Sequence, residues 1–137
     1  MATAPPTPSE LQILRVIWER GPSTVREVYR ALSAEREIGY STVLKFMQIM
    51  TDKGTLVRDE TVRPQLYRPA QRQRDMQRGI VRDLIERAFG GSAADLVVHA
   101  LSDKKSSSEE RRQIRALLDT MDEQDAPDKR RSGRGRK

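Results

Sequence analysis

The chain has 137 residues, 36% of them hydrophobic, which fits one domain or one small domain with an appendage. It contains no cysteine, and this excludes disulfides, thiolate metal sites and cysteine nucleophiles. The net charge is +6, but residues 129–137 hold six of the 26 Lys and Arg residues, and the other 20 balance the 20 Asp and Glu residues. The net charge is therefore weak support for a nucleic-acid-binding fold.

No apolar run approaches the roughly 18 residues that a membrane span requires. The first nine residues are rich in Pro, Ala and Thr but contain neither the basic nor the apolar region of a signal peptide. We therefore expect a cytoplasmic protein without membrane insertion.

The first three predicted elements are amphipathic helices. The first begins with Ser9 as its N-cap and ends before Gly21. The second begins at Thr24, which forms a capping box with Glu27. The third runs from about residue 40 to Gly54, a good residue for the left-handed position after a helix.

The spacing of apolar residues is no longer helical after the third helix. Residues 55–60 and 65–69 are short, β-prone segments that predict a two-stranded hairpin. Three helices and a hairpin within about 60 residues have the order of a winged helix-turn-helix. We assign residues 9–70 to a winged-helix DNA-binding domain.

The remainder predicts three more amphipathic helices over residues 71–121, so the chain is mainly α with a small β-hairpin. Three helices are too few to enclose a core, and a second copy is the simplest partner for this dimerisation arm. Residues 1–8 and 122–137 read as disordered ends, the latter a basic tail that adds nonspecific DNA affinity or merely solubility. The predicted dimer contacts are Ile80, Leu84, Ile85, Phe89, Leu96, Val97, Leu101, Ile114, Leu117 and Leu118.

The third helix carries the most informative candidate residues. With Val43, Met47 and Met50 turned toward the core, hydroxyl, amine and amide groups remain outside, where a recognition helix meets phosphates and base edges. A basic hairpin tip suits the phosphates beside a minor groove, although an ordinary charged turn has the same composition. The candidate DNA-binding residues are Thr24, Ser41, Thr42, Lys45, Gln48, Arg58 and Arg63.

Catalysis is disfavoured because there is one histidine, His99, no cysteine and no Gly-rich phosphate loop. A lone histidine cannot form a multidentate metal site, so we expect neither metal nor cofactor. Two functions remain open: a DNA-binding repressor, and a protein-interaction adaptor whose winged helix contacts protein without specific DNA binding.

Four segments resemble the penicillinase-repressor family, namely SELQILRVIW, PSTVREVY, YSTVLKFMQIMTDKG and LYRP. FGGSAADLVVHAL and the last helix resemble the dimerisation arm of that family, so the resemblance covers about residues 9–121. It implies a winged-helix homodimer on a dyad-symmetric operator, with contacts from the positions of Ser41, Thr42 and Lys45. In the antibiotic-resistance branch, a membrane sensor-protease or a downstream protease triggers cleavage in the arm and releases the DNA.

Three departures from the family pattern limit what the resemblance implies. The copper-responsive branch has C-terminal cysteine motifs, which this chain lacks. Typical members have Thr at the position of Lys45 and Arg at that of Ile49, so the operator sequence does not carry over. The bond that matches the characterised Asn-Phe cleavage site is His99-Ala100, which is thus the candidate cleavage site.

Overall fold

The computed structural model describes residues 5–102 and 107–135, with side chains described through residue 125. The described chain is mainly helical with one two-stranded sheet, which confirms the predicted fold class. In chain order the elements are α1 (Pro8–Arg20), α2 (Val25–Ser33), α3 (Tyr40–Asp52), β1 (Leu56–Asp59), β2 (Leu66–Pro69), α4 (Gln73–Ala88), α5 (Ala93–Ser102) and α6 (Ser108–Gly135).

The start of α1 differs from the prediction. Its N-cap is Thr7, and Pro8 occupies the first turn, whereas the sequence favoured Ser9 as the cap. Thr7 Oγ1 accepts a hydrogen bond from the Glu10 amide at 3.3 Å, and the Thr7 amide donates to Glu10 Oε1 at 3.1 Å. This reciprocal capping box, with proline preorganised in the first turn, stabilises the earlier start. Residues 5–8, predicted to be disordered, therefore include this cap, while residues 1–4 lie outside the described residues.

The core of the head (residues 8–69, α1 to β2) joins all three helices and the hairpin. Each fully buried aliphatic side chain contributes about 1.5–3 kcal/mol relative to exposure, so this cluster dominates the stability of the head. Met76 of α4 joins the same core, and Ile80 packs against it. The side chains that are at most 1% exposed include Ile13, Leu14, Ile17, Val28, Val43, Met47, Met50 and Leu56.

The hairpin, called the wing below, is antiparallel, with Leu56 opposite Pro69 and Arg58 opposite Tyr67. A further bridge ties it to the turn before α2, because the Ser23 amide donates to the Tyr67 carbonyl at 3.0 Å and the Tyr67 amide donates to the Ser23 carbonyl at 2.8 Å. Ser23 and Tyr67 are both buried, at 0% and 3% exposure. The wing is therefore held to the helices by backbone hydrogen bonds as well as by side-chain packing.

The chain divides into two compact units, residues 1–87 and 88–137. The sequence placed a boundary at residue 70 instead, because the amphipathic pattern of α4 does not reveal that Met76 and Ile80 pack on the head. In the second unit, Ser92 Oγ accepts from the Asp95 amide at 3.0 Å at the start of α5. Ser107 Oγ accepts from the Glu110 amide at 3.0 Å at the start of α6.

The last helix continues to Gly135, although the sequence analysis ended it at about residue 121 and assigned residues 122–137 to a disordered tail. The prediction relied on apolar periodicity, which a helix needs for packing but not for its backbone hydrogen bonds. Six of the 14 residues from 122 to 135 are Glu, Gln, Lys or Arg, which have high helix propensity, while Pro127 and Gly133 disfavour a helix interior.

Candidate nucleic-acid interface

The third helix has one buried and one exposed side. Val43, Met47 and Met50 are 0% exposed and complete the core contact of the helix. The opposite side carries two hydroxyls, an amine and an amide, which can donate to phosphate oxygens and to base edges. The structure thus brings four of the predicted DNA-binding residues onto one exposed surface: Ser41, Thr42, Lys45 and Gln48.

The beginning of α3 lies at one end of this surface. Its N-cap is Gly39, which provides no side-chain cap, and its first turn contains no acidic residue. The amides of this turn are therefore not occupied by a capping carboxylate or hydroxyl of the N-cap residue. Ser41 and Thr42 are exposed beside these amides.

Thr24 caps α2, as predicted. Its Oγ1 accepts from the Glu27 amide at 3.1 Å, and its own amide donates to Glu27 Oε1 at 2.8 Å. These contacts, chiefly the hydrogen bond from the Thr24 amide, hold the pKa of the Glu27 carboxyl below its ordinary value. The Thr24 hydroxyl also lowers the pKa of Glu27 through a side-chain hydrogen bond, so Thr24 is engaged in capping α2.

The two candidate arginines of the wing have different surroundings. Arg63 is exposed in the turn between the strands. Arg58 is half-buried on β1, and its Nη2 lies 3.4 Å from Glu60 Oε1. A side-chain hydrogen bond with Tyr67 is the main cause that raises the pKa of Arg58 above its ordinary value. Arg58 is thus engaged within the wing, while Arg63 extends from it.

The wing turn is ordered by its own hydrogen bonds. Asp59 Oδ1 accepts from the Thr61 amide at 2.9 Å and from the Thr61 hydroxyl at 2.6 Å. The bond from the Thr61 hydroxyl is the largest cause that lowers the pKa of Asp59. The Asp59 carboxylate therefore orders the turn through two hydrogen bonds.

An aromatic and cationic cluster at the beginning of α3 escaped the sequence analysis. The Arg26 guanidinium carbon lies 5.4 Å from the centroid of the Tyr40 ring. The Tyr40 ring meets the Tyr29 ring edge-on, with centroids 5.7 Å apart and an interplanar angle of 75°. The sequence places Arg26 in the first turn of the predicted second helix. It does not show that the ring of Tyr40, on the third helix, lies against it.

The predicted dimer contacts fall in both compact units. In the first, Ile80 packs against the head core, Ile85 is half-buried and Leu84 is 45% exposed. In the second, no described side chain is buried, and Leu117 and Leu118 are 63% and 54% exposed. Val97 is exposed as well, whereas the half-buried members of this set are Phe89, Leu96, Leu101 and Ile114.

His99 and Ala100, the candidate cleavage pair, are exposed within α5. The His99 ring lies 5.4 Å from the Phe89 ring, and its Nδ1 lies 2.9 Å from the Asp95 carbonyl oxygen. Among the side chains of residues 5–102 and 107–125, no group of three or more His, Asp or Glu could hold a metal ion. The described ranges, 5–102 and 107–135, contain no helix that is long and apolar enough to cross a membrane.

Comparison with known proteins decides the function class. The penicillinase repressor family matches residues 6–120, which include every element from α1 through α5 and the first half of α6 up to residue 120. The chain belongs to the penicillinase-repressor family. It is therefore a DNA-binding transcriptional repressor and not an enzyme.

Two sequence relatives agree with this assignment. The chain is 30% identical over 92 residues to proteins named transcriptional regulator BlaI from two strains of Mycobacterium tuberculosis, CDC 1551 / Oshkosh and H37Rv. The match covers 66% of this family member and 67% of each relative. A solution structure of monomeric Bacillus licheniformis BlaI with the blaP half-operator is 23% identical, with a TM-score of 0.48, and the match covers 54% of this chain and 90% of that one.

Proposed function

We propose that this repressor acts as a cytoplasmic homodimer on a dyad-symmetric operator and takes part in an antibiotic response. The observation that carries the proposal is the exposed surface of α3, where Ser41, Thr42, Lys45 and Gln48 stand free of the core. Lys45 reaches a phosphate or a guanine edge, Gln48 pairs with adenine, and the hydroxyls contact the backbone. Arg63 in the wing binds phosphates beside the neighbouring minor groove.

The proposed dimerisation is supported by apolar side chains of the second unit that remain exposed. Leu117, Leu118 and Met121 recur at helical spacing on α6 and are each more than half exposed. A soluble protein rarely keeps such a contiguous apolar stripe in water, and a second copy supplies a matching one. Two linked heads then bind two half-sites about one helical turn apart, with an affinity that neither head reaches alone.

The operator is found by selection. Genomic fragments retained by the protein are sequenced, and the enriched motif is tested in electrophoretic shifts at several salt concentrations. We expect an inverted repeat that binds at least about a thousandfold more tightly than unrelated DNA. The adaptor function predicts no enriched motif and equal, weak binding to every fragment.

We further propose that the repressor is inactivated by proteolysis in α5 or in the segment after it, carried out by a membrane sensor-protease or by a protease downstream of one. His99 and Ala100 are exposed on α5, and short helices without buried side chains open at low cost. The predicted link at 102–108 includes residues 103–106, which lie outside the described residues.

Mass spectrometry of repressor from cells, before and after induction, tests this switch. We expect an N-terminal fragment that ends between residues 96 and 108 and that keeps a folded head. An intact chain at full derepression would refute proteolytic release and leave a ligand or a protein partner as the trigger.

A further inference from the structure

Arg26 occupies an unusual position for a surface arginine. It is exposed on α2, yet its guanidinium is held over the ring of Tyr40, the first residue of α3. Tyr40 in turn rests edge-on against Tyr29, a half-buried side chain that packs against the head core. The cation is thus attached to the core through two aromatic rings.

The charge of Arg26 is not neutralised by the described part of the chain. No Asp or Glu of residues 5–102 and 107–125 forms an ion pair with it, although five other arginines there do have such partners. A ring face attracts the guanidinium but leaves its N–H donors at the rim available. The cluster therefore presents an oriented cation with unused hydrogen-bond donors.

The position of this cation favours one kind of ligand. Ser41 and Thr42, the exposed hydroxyls of the proposed recognition surface, directly follow Tyr40 in the chain. A helix seated in the major groove is flanked by the phosphates of both strands, and side chains beside its first turn meet those phosphates before they meet base edges. A planar guanidinium fits a phosphate through two parallel hydrogen bonds.

We infer that Arg26 binds a phosphate of the operator backbone and that Tyr40 is the positioning residue that holds its guanidinium in place. The inference rests on the proposed function, because it requires that the head bind duplex DNA through α3. It adds to the recognition surface a residue from α2 and an aromatic platform, neither of which reads bases. The long Arg26 side chain then loses its conformational entropy when the protein folds, and this cost no longer opposes DNA binding.

The test measures operator affinity as a function of salt for the intact protein and its variants. Arg26→Ala is expected to weaken binding roughly tenfold, on cognate and unrelated DNA alike. It should also make the slope of log affinity against log salt shallower by about 0.9. Arg15→Ala, which removes an exposed arginine from α1, is the matched control and should change neither quantity.

Variants of Tyr40 separate positioning from simple stabilisation. Tyr40→Leu should lose roughly two- to fivefold in affinity with an unchanged salt slope, because the charge remains and only its platform is gone. In the Arg26→Ala background the same substitution should have no further effect, which makes the pair non-additive. Tyr40→Phe, which keeps the ring, should match the parent.

Three results would overturn the inference. If Arg26→Ala lowers the thermal midpoint but leaves affinity and salt slope unchanged, the cluster only stabilises the fold. If Arg26→Ala weakens binding to one base sequence and not to others, the arginine reads a base. If the parent protein binds no DNA, the proposed function fails and the role of Arg26 fails with it, whereas loss of Arg26 alone leaves the proposed function intact.

Discussion

Lys45 lies on the exposed side of α3, one turn after Ser41 and Thr42. Lys45→Ala should weaken operator binding roughly tenfold and reduce the salt slope by about one unit, because one charge-assisted contact is lost. The thermal midpoint should stay the same, since an exposed side chain contributes little to the core. Fluorescence anisotropy on the selected operator, with Lys45→Arg as the charge-preserving control, measures the effect. Equal affinity of Lys45→Ala and the parent would place the recognition surface elsewhere.

Glu27 links the stability of α2 to pH. Its folded-state pKa is lowered, chiefly by the hydrogen bond from the Thr24 amide, from the ordinary value of 4.5. The ionised carboxylate therefore stabilises the fold fully above pH 4.5, and this stabilisation is lost as the pH falls through the lower folded-state pKa. Glu27→Gln should destabilise the protein at neutral pH and lose that difference in acid.

Urea unfolding at neutral pH and at about pH 3 measures this dependence. Glu19→Gln, which changes an exposed carboxylate on α1, is the control and should match the parent at both pH values. A constant difference between Glu27→Gln and the parent across this range would show that the hydrogen-bond geometry of the cap, and not the charge, matters.

Sequence patterns predict the features of single helices better than the contacts between elements. The capping box of Thr24 and Glu27 lies within four residues, and the face of α3 with Val43, Met47 and Met50 repeats at helical spacing. Both are local, so the sequence predicts them correctly. The contact of Arg26 with Tyr40 joins two helices, and the engagement of Arg58 with Tyr67 joins two strands. Such contacts depend on tertiary packing, which no local pattern contains.

Glu10 and Lys53 join the beginning of α1 to the end of α3 across 43 positions of the chain. Lys53 Nζ lies 2.8 Å from Glu10 Oε1, and the Glu10 side chain is only 4% exposed. Lys53→Met leaves this carboxylate buried without its cation and should lower the free energy of unfolding by about 1–3 kcal/mol. Chemical denaturation measures the loss.

Two control variants show whether the buried charge is the cause. Lys53→Arg keeps a cation and should retain most of the stability. Glu10→Gln combined with Lys53→Met removes both charges and should recover part of the loss, because no carboxylate is then left unpaired. A double variant as unstable as the sum of its single variants would contradict this explanation.

The whole molecule combines a head that encloses a core with a second unit in which no described side chain is buried. Leu117→Asp should therefore abolish the proposed dimer at micromolar concentration by placing an unpaired charge in the interface. Operator affinity should fall by a factor of about 100 or more, because each head then binds its half-site alone. Sedimentation and anisotropy measure the two effects.

Ala116→Asp provides a matched control on the same helix. It adds the same charge one residue away, on the side of α6 opposite the stripe of Leu117, Leu118 and Met121. This variant should remain dimeric and bind the operator like the parent. A parent protein that sediments as a monomer and still binds the full operator tightly would refute the dimeric repressor.

The backbone bridge between Ser23 and Tyr67 has a consequence for the length of the DNA site. Both residues are buried, and their two hydrogen bonds leave the wing little freedom to swing away from the helices. In the proposed complex, the DNA contacts of α3 and of Arg63 in the wing are therefore held at a fixed distance from each other. One inserted base pair displaces the second contact by about 3.4 Å and rotates it by about 35° around the duplex. Insertions inside a half-site should thus be more damaging than most base changes there.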